Sequence, residues 1–162
     1  MSVPYDWDGH FWSRQIVLPF QERPVQIRID TDSNEEPPTA RQMAVADCIP
    51  EYLAGIKRHL DARAEQNCRK VDYAVNLEEE GIPINYDRIG DHYTIETALV
   101  GYVDGCEGNY FFLGCECDWE EEHGLEFLLD GSRILYCYHH TGTFIMTKSD
   151  EIYRRLASEL GG

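Results

Sequence analysis

The stretch Leu125-Glu126-Phe127-Leu128-Leu129-Asp130-Gly131-Ser132-Arg133-Ile134-Leu135-Tyr136-Cys137-Tyr138 decides the fold. Asp-Gly between two short apolar runs signals a tight hairpin, because the turn needs backbone angles that Asp and Gly adopt at little cost. Two antiparallel strands joined as a hairpin are therefore expected here, in a mostly antiparallel sheet. Upstream, Tyr93 to Val100 and Asn109 to Cys117 are further short runs rich in aromatic and β-branched residues, and they read as two more strands. A short strand is expected from Thr143 to Met146. Towards the start of the chain, Gln15 to Phe20 and the alternating Val25-Gln26-Ile27-Arg28-Ile29-Asp30 read as a hairpin across a short link. The first ten residues read as an irregular lead-in.

Between the two strand regions the period changes from two to three and four. Thr39 can cap a helix, and Gln42 three residues later completes a capping box. Met43, Val45, Ala46, Ile49, Tyr52, Leu53, Ile56 and Leu60 then recur at helical spacing. Pro50 either kinks one long helix or opens a second. The helical region is expected to end near Asn67, with a loop-rich connection from Val71 to Arg88. A last helix is expected after Ser149, with Ile152, Leu156 and Leu160 on its inner face. The fold class is thus α+β, in a single domain over residues 1–162. It is a mostly antiparallel sheet with an N-terminal hairpin, a helical insertion and a C-terminal helix.

Charge narrows the function. The 162 residues carry 14 basic and 30 acidic side chains, a formal net charge of −16. Such a chain repels phosphate backbones and anionic lipid, so neither nucleic acid nor membrane is an expected partner. Basic proteins and metal cations stay electrostatically open. The charge is also concentrated. Val71 to Thr147 holds sixteen acidic residues against two basic ones, Arg88 and Arg133, and Asp104 to Asp130 holds nine acids and no base. No apolar run approaches the roughly 20 residues that span a bilayer. Met1 to Asp8 shows neither a basic nor an apolar leader pattern. A cytoplasmic location is expected, with export by a route needing no N-terminal signal left open. The six cysteines are expected to be reduced, small and buried.

The densest polar cluster is Cys115-Glu116-Cys117-Asp118-Trp119-Glu120-Glu121-Glu122-His123-Gly124, followed later by Cys137-Tyr138-His139-His140. Cys115, Cys117, His123, Cys137 and His139 are of the types that hold zinc, but C-x-C without a matching second pair favours buried thiols. Glu120-Glu121-Glu122-His123 has neither the spaced ligands of a calcium loop nor the H-E-x-x-H pattern. A nucleophilic thiol among Cys106, Cys115, Cys117 and Cys137, served by His92, His123, His139 or His140, would need an electropositive setting that this segment lacks. Gly105 to Gly108 is ringed by acids and would reject phosphate. No enzyme activity and no cofactor is therefore expected. The favoured reading is a partner-binding patch in which Asp118, Glu120, Glu121 and Glu122 supply charge and Trp119 an aromatic anchor. Glu122 and His123 would brace a turn at Gly124.

The segment from Cys117 to Leu125 resembles a bacterial domain-of-unknown-function family with a motif of the form W-[DE]-x-E-H-G-[LI]-G. Trp119, Glu122, His123, Gly124 and Leu125 fit it, and Glu126 stands where the motif has Gly. Members of such families occur among immunity proteins of polymorphic bacterial toxin systems. The resemblance implies an acidic protein that neutralises a cognate toxin by covering its active cleft. A metal-binding protein and a general regulatory interaction domain are the alternatives.

Overall fold

The computed structural model describes residues 4–32, 34–101 and 108–139, together with Arg155 and Ser158. Seven strands form one sheet in chain order: β1 (Asp6–Trp7), β2 (Trp12–Ile16), β3 (Val25–Ile29), β4 (Tyr93–Val100), β5 (Tyr110–Cys117), β6 (Leu125–Asp130) and β7 (Arg133–His139). Neighbours pair antiparallel except β3 and β4, which run parallel, with Gln26 opposite Thr97 and Ile29 opposite Val100. Parallel neighbours need a crossover, and here it contains one long helix, α1 (Ala40–Val75), followed by a 3-10 turn at Tyr86–His92. The expected α+β architecture, with its N-terminal hairpin, helical insertion and mostly antiparallel sheet, is present. The strand expected at Thr143 to Met146 and the helix expected after Ser149 fall outside the described residues, apart from Arg155 and Ser158. Among the described residues no helix is long and apolar enough to cross a membrane.

α1 begins as its sequence requires. The Gln42 N–H donates to the Thr39 hydroxyl at 3.1 Å, and the Thr39 N–H donates to the Gln42 side-chain oxygen at 3.0 Å. The Gln42 amide also donates to the Asp30 carbonyl at 2.7 Å and the Gly101 carbonyl at 3.1 Å, tying the helix start to the ends of β3 and β4. Val45, Ala46, Ile49, Leu53, Ile56, Leu60, Ala64 and Cys68 then bury one continuous stripe. Pro50 lies within this single helix. It removes one backbone hydrogen bond, but Ile49 and Leu53 on either side are both fully buried. Their packing, at about 1.5–3 kcal/mol for each such side chain, outweighs the break.

The helix continues to Val75 rather than stopping near Asn67. Asn76 ends it in the left-handed conformation (φ 53°) and donates its N–H to the Asp72 carbonyl at 2.8 Å. The Asp72 carboxylate accepts the Leu77 N–H at 2.9 Å and the Tyr86 hydroxyl at 2.7 Å, and the Arg69 guanidinium lies 3.9 Å from the Tyr86 ring centroid. These contacts with the following segment carry the last two turns. Tyr73, 96% exposed, and Val75 lie on the outer face of these turns. At the other end, the lead-in contributes β1, and β2 stops at Ile16, before the exposed Val17 and the donorless Pro19.

Two bulges set which side chains face α1. Ile95 pairs Cys115 but Thr97 pairs Gly114, so Glu96 is the extra residue in β4. Tyr93 and Ile95 before it, and Ala98 and Val100 after it, all join the core beneath the helix. Leu135 is the extra residue of β7, because Leu128 pairs Tyr136 and Leu129 pairs Ile134. The opposite face carries a second apolar cluster of Leu99, Tyr110, Phe112, Leu128 and Tyr136.

Thr39→Ala should lower stability by about 1 kcal/mol through the lost cap. Gln42→Ala should cost more, since it also frees the buried Asp30 and Gly101 carbonyls. Urea midpoints of the two variants test this, and equal midpoints would refute the second role of Gln42.

Candidate functional site

The turn between β5 and β6 is held from three directions. The Asp118 N–H donates to the His92 carbonyl at 2.9 Å, and the Asp118 carboxylate meets His92 Nδ1 at 2.8 Å. His92 Nε2 accepts the Asn85 N–H at 3.0 Å, which assigns the imidazole proton to Nδ1. The next residue points the other way: Trp119 is 4% exposed, donates its indole N–H to Asn67 on α1 at 2.9 Å, and meets the Tyr93 ring edge-on. The turn closes through the Gly124 N–H, which donates to the Glu120 carbonyl at 2.9 Å, and through His123 Nδ1, 3.1 Å from the Glu120 carboxylate. Gly124 has φ +69°, and a Cβ there would lie 2.3 Å from the Cys115 carbonyl oxygen. Glycine is thus required both by conformation and by space.

Around this turn opens a polar cleft of about 620 Å³. Its walls bring Asp91, Glu96, Glu116, Asp118, Glu121 and Glu122 together from the 3-10 turn, β4, β5 and the β5–β6 turn. Arg23, from the link between β2 and β3, is the one lysine or arginine among its described lining residues. It bridges Glu96 at 2.7 Å and Glu116 at 2.6 Å. The hydrogen bond from Arg23 holds the Glu116 carboxyl below its ordinary range, and the same pairing raises the arginine.

Asp118, Glu121 and Glu122 therefore line one cleft, with Glu121 and Glu122 exposed, while the half-buried Glu120 turns to His123 and is not part of that lining. Trp119 does not join them: its ring belongs to the core, because a large apolar ring gains more under α1 than in water. The brace of the turn is also reassigned. It is Glu120, not Glu122, that pairs with His123. Arg23, Asp91 and Glu96 were missed in the sequence, since they come from separate elements, while Glu116 stood in the polar cluster with no role assigned to it. Only the bulge at Glu96, visible as the parity change from Tyr93 and Ile95 to Ala98 and Val100, left a trace there. Asp104 and Glu107 lie outside the described residues, while Glu126 is 1% exposed and accepts the Tyr136 hydroxyl. The acidic run from Asp104 to Asp130 does not form one face.

The thiols and imidazoles separate. Cys115 and Cys117 are buried in the core beneath α1, with Cys137 packed against it, and all three are free thiols. His123 lies on the turn with its ring 6.2 Å from that of His139. Among the described residues no group of three or more His, Cys, Asp or Glu is placed to hold a metal ion. Burial pushes the thiols up, Cys117 and Cys137 each to about 12, Cys68 to about 11, and Cys115 well above its ordinary value. These cysteines are protonated at neutral pH and are poor nucleophiles. Cys106 and His140 fall outside the described residues.

A family model for a domain of unknown function, DUF6985, matches residues 2–144. The chain belongs to that family. Neither a curated protein nor a solved structure matches it. The DUF6985 match takes in all seven strands, α1 and the acidic turn, so the turn is part of the domain rather than an addition to it. Its description carries no activity, and the chemistry of this DUF6985 chain rests on the geometry above.

Gly124→Ala should be strongly destabilising, by about 3 kcal/mol or more, because strain and a backbone clash coincide. Thermal melting of the variant measures it, and a melting temperature within a degree or two of the parent would refute the close approach. The raised thiols give a second expectation. A thiol whose folded value lies above its unfolded value near 9 contributes stability that is whole below pH 9 and is lost as pH rises through 11 and 12. Urea midpoints should therefore fall steadily between pH 9 and 11. A Cys117→Ser, Cys137→Ser variant should show a shallower fall, and an identical slope would count against these thiols as its source.

Proposed function

We propose that this chain is a cytoplasmic protein-binding domain whose partner is basic, and that it acts as an immunity protein covering the active cleft of a cognate bacterial toxin. The observation that carries this reading is the braced acidic turn. Glu121 and Glu122 stand exposed on a loop whose backbone is fixed by Gly124, His92 and the Trp119–Asn67 bond. Carboxylates on a rigid loop lose little conformational entropy on binding, and their shared field speeds encounter with a cationic surface. The concentration of charge in this half of the sequence supports the same direction. With Trp119 buried, contact is electrostatic in character, made by Asp118, Glu120, Glu121 and Glu122 with Glu116 and Asp91 beside them.

The test begins with capture of basic partners at low and high salt, followed by association kinetics with the partner recovered. Asp118 and Glu120 hold the turn together, so charge reversal belongs at the other two positions. Glu121→Lys with Glu122→Lys should slow association about tenfold or more at low salt and flatten its salt dependence. Co-expression with that partner should lose its protective effect in proportion. Unchanged association rates in the double variant would overturn the assignment of the turn. Failure of the chain to relieve any toxicity of the partner would overturn the immunity reading while leaving the binding surface intact.

A further inference from the structure

A second cavity, of about 260 Å³, adjoins the acidic cleft and shares Glu96, Cys115 and His123 with it. We propose that it is a binding site for a small organic monocarboxylate with an apolar body. Its walls include Arg28 from β3, Thr97 and Leu99 from β4, Gly114 from β5, and Phe11 and Leu125 at its sides. Arg28 is opposite Leu99 and Thr97 is opposite Gly114 in the sheet register, so the polar and apolar walls are neighbours on rigid strands.

The decisive group is Arg28. Its Nε is buried and has no hydrogen-bond partner. In a chain of net charge −16 this arginine makes no salt bridge to a described carboxylate. Its guanidinium lies 5.7 Å from the Phe11 ring centroid. Arg28 is the least of the influences on the Asp8 carboxyl, whose Oδ1 already accepts the N–H groups of His10 and Phe11, each at 2.8 Å. A buried guanidinium N–H without an acceptor is costly, and a carboxylate placed side-on would satisfy it.

The rest of the cavity sets the class of ligand. Phe11, Leu99 and Leu125 offer apolar surface for a ring or a branched chain. The volume lies just below the roughly 300 Å³ at which sites for drug-sized ligands begin, which suits a fragment of one ring. Glu96 on the shared wall, with Glu116, Glu121 and Glu122 beyond it, opposes a second negative charge, so a monoanion is favoured over a dianion. This site is independent of the protein-binding reading and stands or falls without it.

The experiment is a chemical-shift titration of the full chain with benzoate as probe. Benzamide, the neutral analogue of equal shape, and phthalate, a dianion, are run in parallel. Saturable shifts with benzoate are expected at the amides of Arg28, Thr97 and Gly114, with none from benzamide and at least tenfold weaker binding of phthalate. Arg28→Gln should weaken benzoate about tenfold or more, given the strength of a charged hydrogen bond. Absence of saturable shifts at these amides up to about 20 mM benzoate, beyond the millimolar range of weak sites, would overturn the proposal. So would equal binding of benzamide, or unaltered benzoate binding by a folded Arg28→Gln. Phthalate binding as tightly as benzoate would overturn the monoanion selectivity. If Arg28→Gln does not fold, the comparison of benzoate with benzamide on the unaltered chain decides.

Discussion

The apolar stripe of α1 against one face of the sheet is the contact on which the other features rest. Val45 through Cys68 lie along a helix about 54 Å long at the usual rise per residue, and they meet side chains from β3 to β7. Parallel pairing of β3 with β4 exists because the helix carries the chain back to the starting end of the sheet. Both bulges serve the same contact. Without the extra residue at Glu96, either Tyr93 and Ile95 or Ala98 and Val100 would turn to the wrong face.

The acidic turn is fixed through this packing. Trp119 reaches α1 at Asn67, and Tyr93 beside it donates its hydroxyl to Asp61, which also holds Lys57 at 2.6 Å. The neutral tyrosine is strongly favoured there, by burial first and then by the Asp61 bond. An interior of rings and paired polar groups therefore lies directly beneath a carboxylate-rich surface on which Glu121 and Glu122 stand exposed. The same backbone serves both, since alternate residues of Cys117-Asp118-Trp119 point in and out.

Much of the fold was legible because its signals were local. The Thr39 and Gln42 cap, the Asp130-Gly131 hairpin and the period-two run at Val25 each need only neighbours in sequence to be recognised. The end of α1 was not, because its last turns are supported by Tyr86 and Leu77, which follow them. Trp119 was misread for a related reason. Its acidic neighbours describe the outer face of the turn, while its own partners, Asn67 and Tyr93, are distant in sequence. Asp118, Glu120, Glu121 and Glu122 could be found as one run. Arg23, Asp91 and Glu96 could not, since only the fold brings them beside it. Arg28 gave no hint, because a strand position alternating with apolar residues is ordinarily solvated.

The parallel junction between β3 and β4 divides the described sheet into two sequence-local halves. On one side β1 to β3 pair with sequence neighbours, and on the other so do β4 to β7. Joining them sets Gln26 against Thr97, closing a loop of about 70 residues, whose entropic cost precedes any reward from pairing. The ladder between β3 and β4 is thus the least local pairing in the described sheet. A helix docked on either half would shorten the remaining search, which makes α1 the tether between the two meanders.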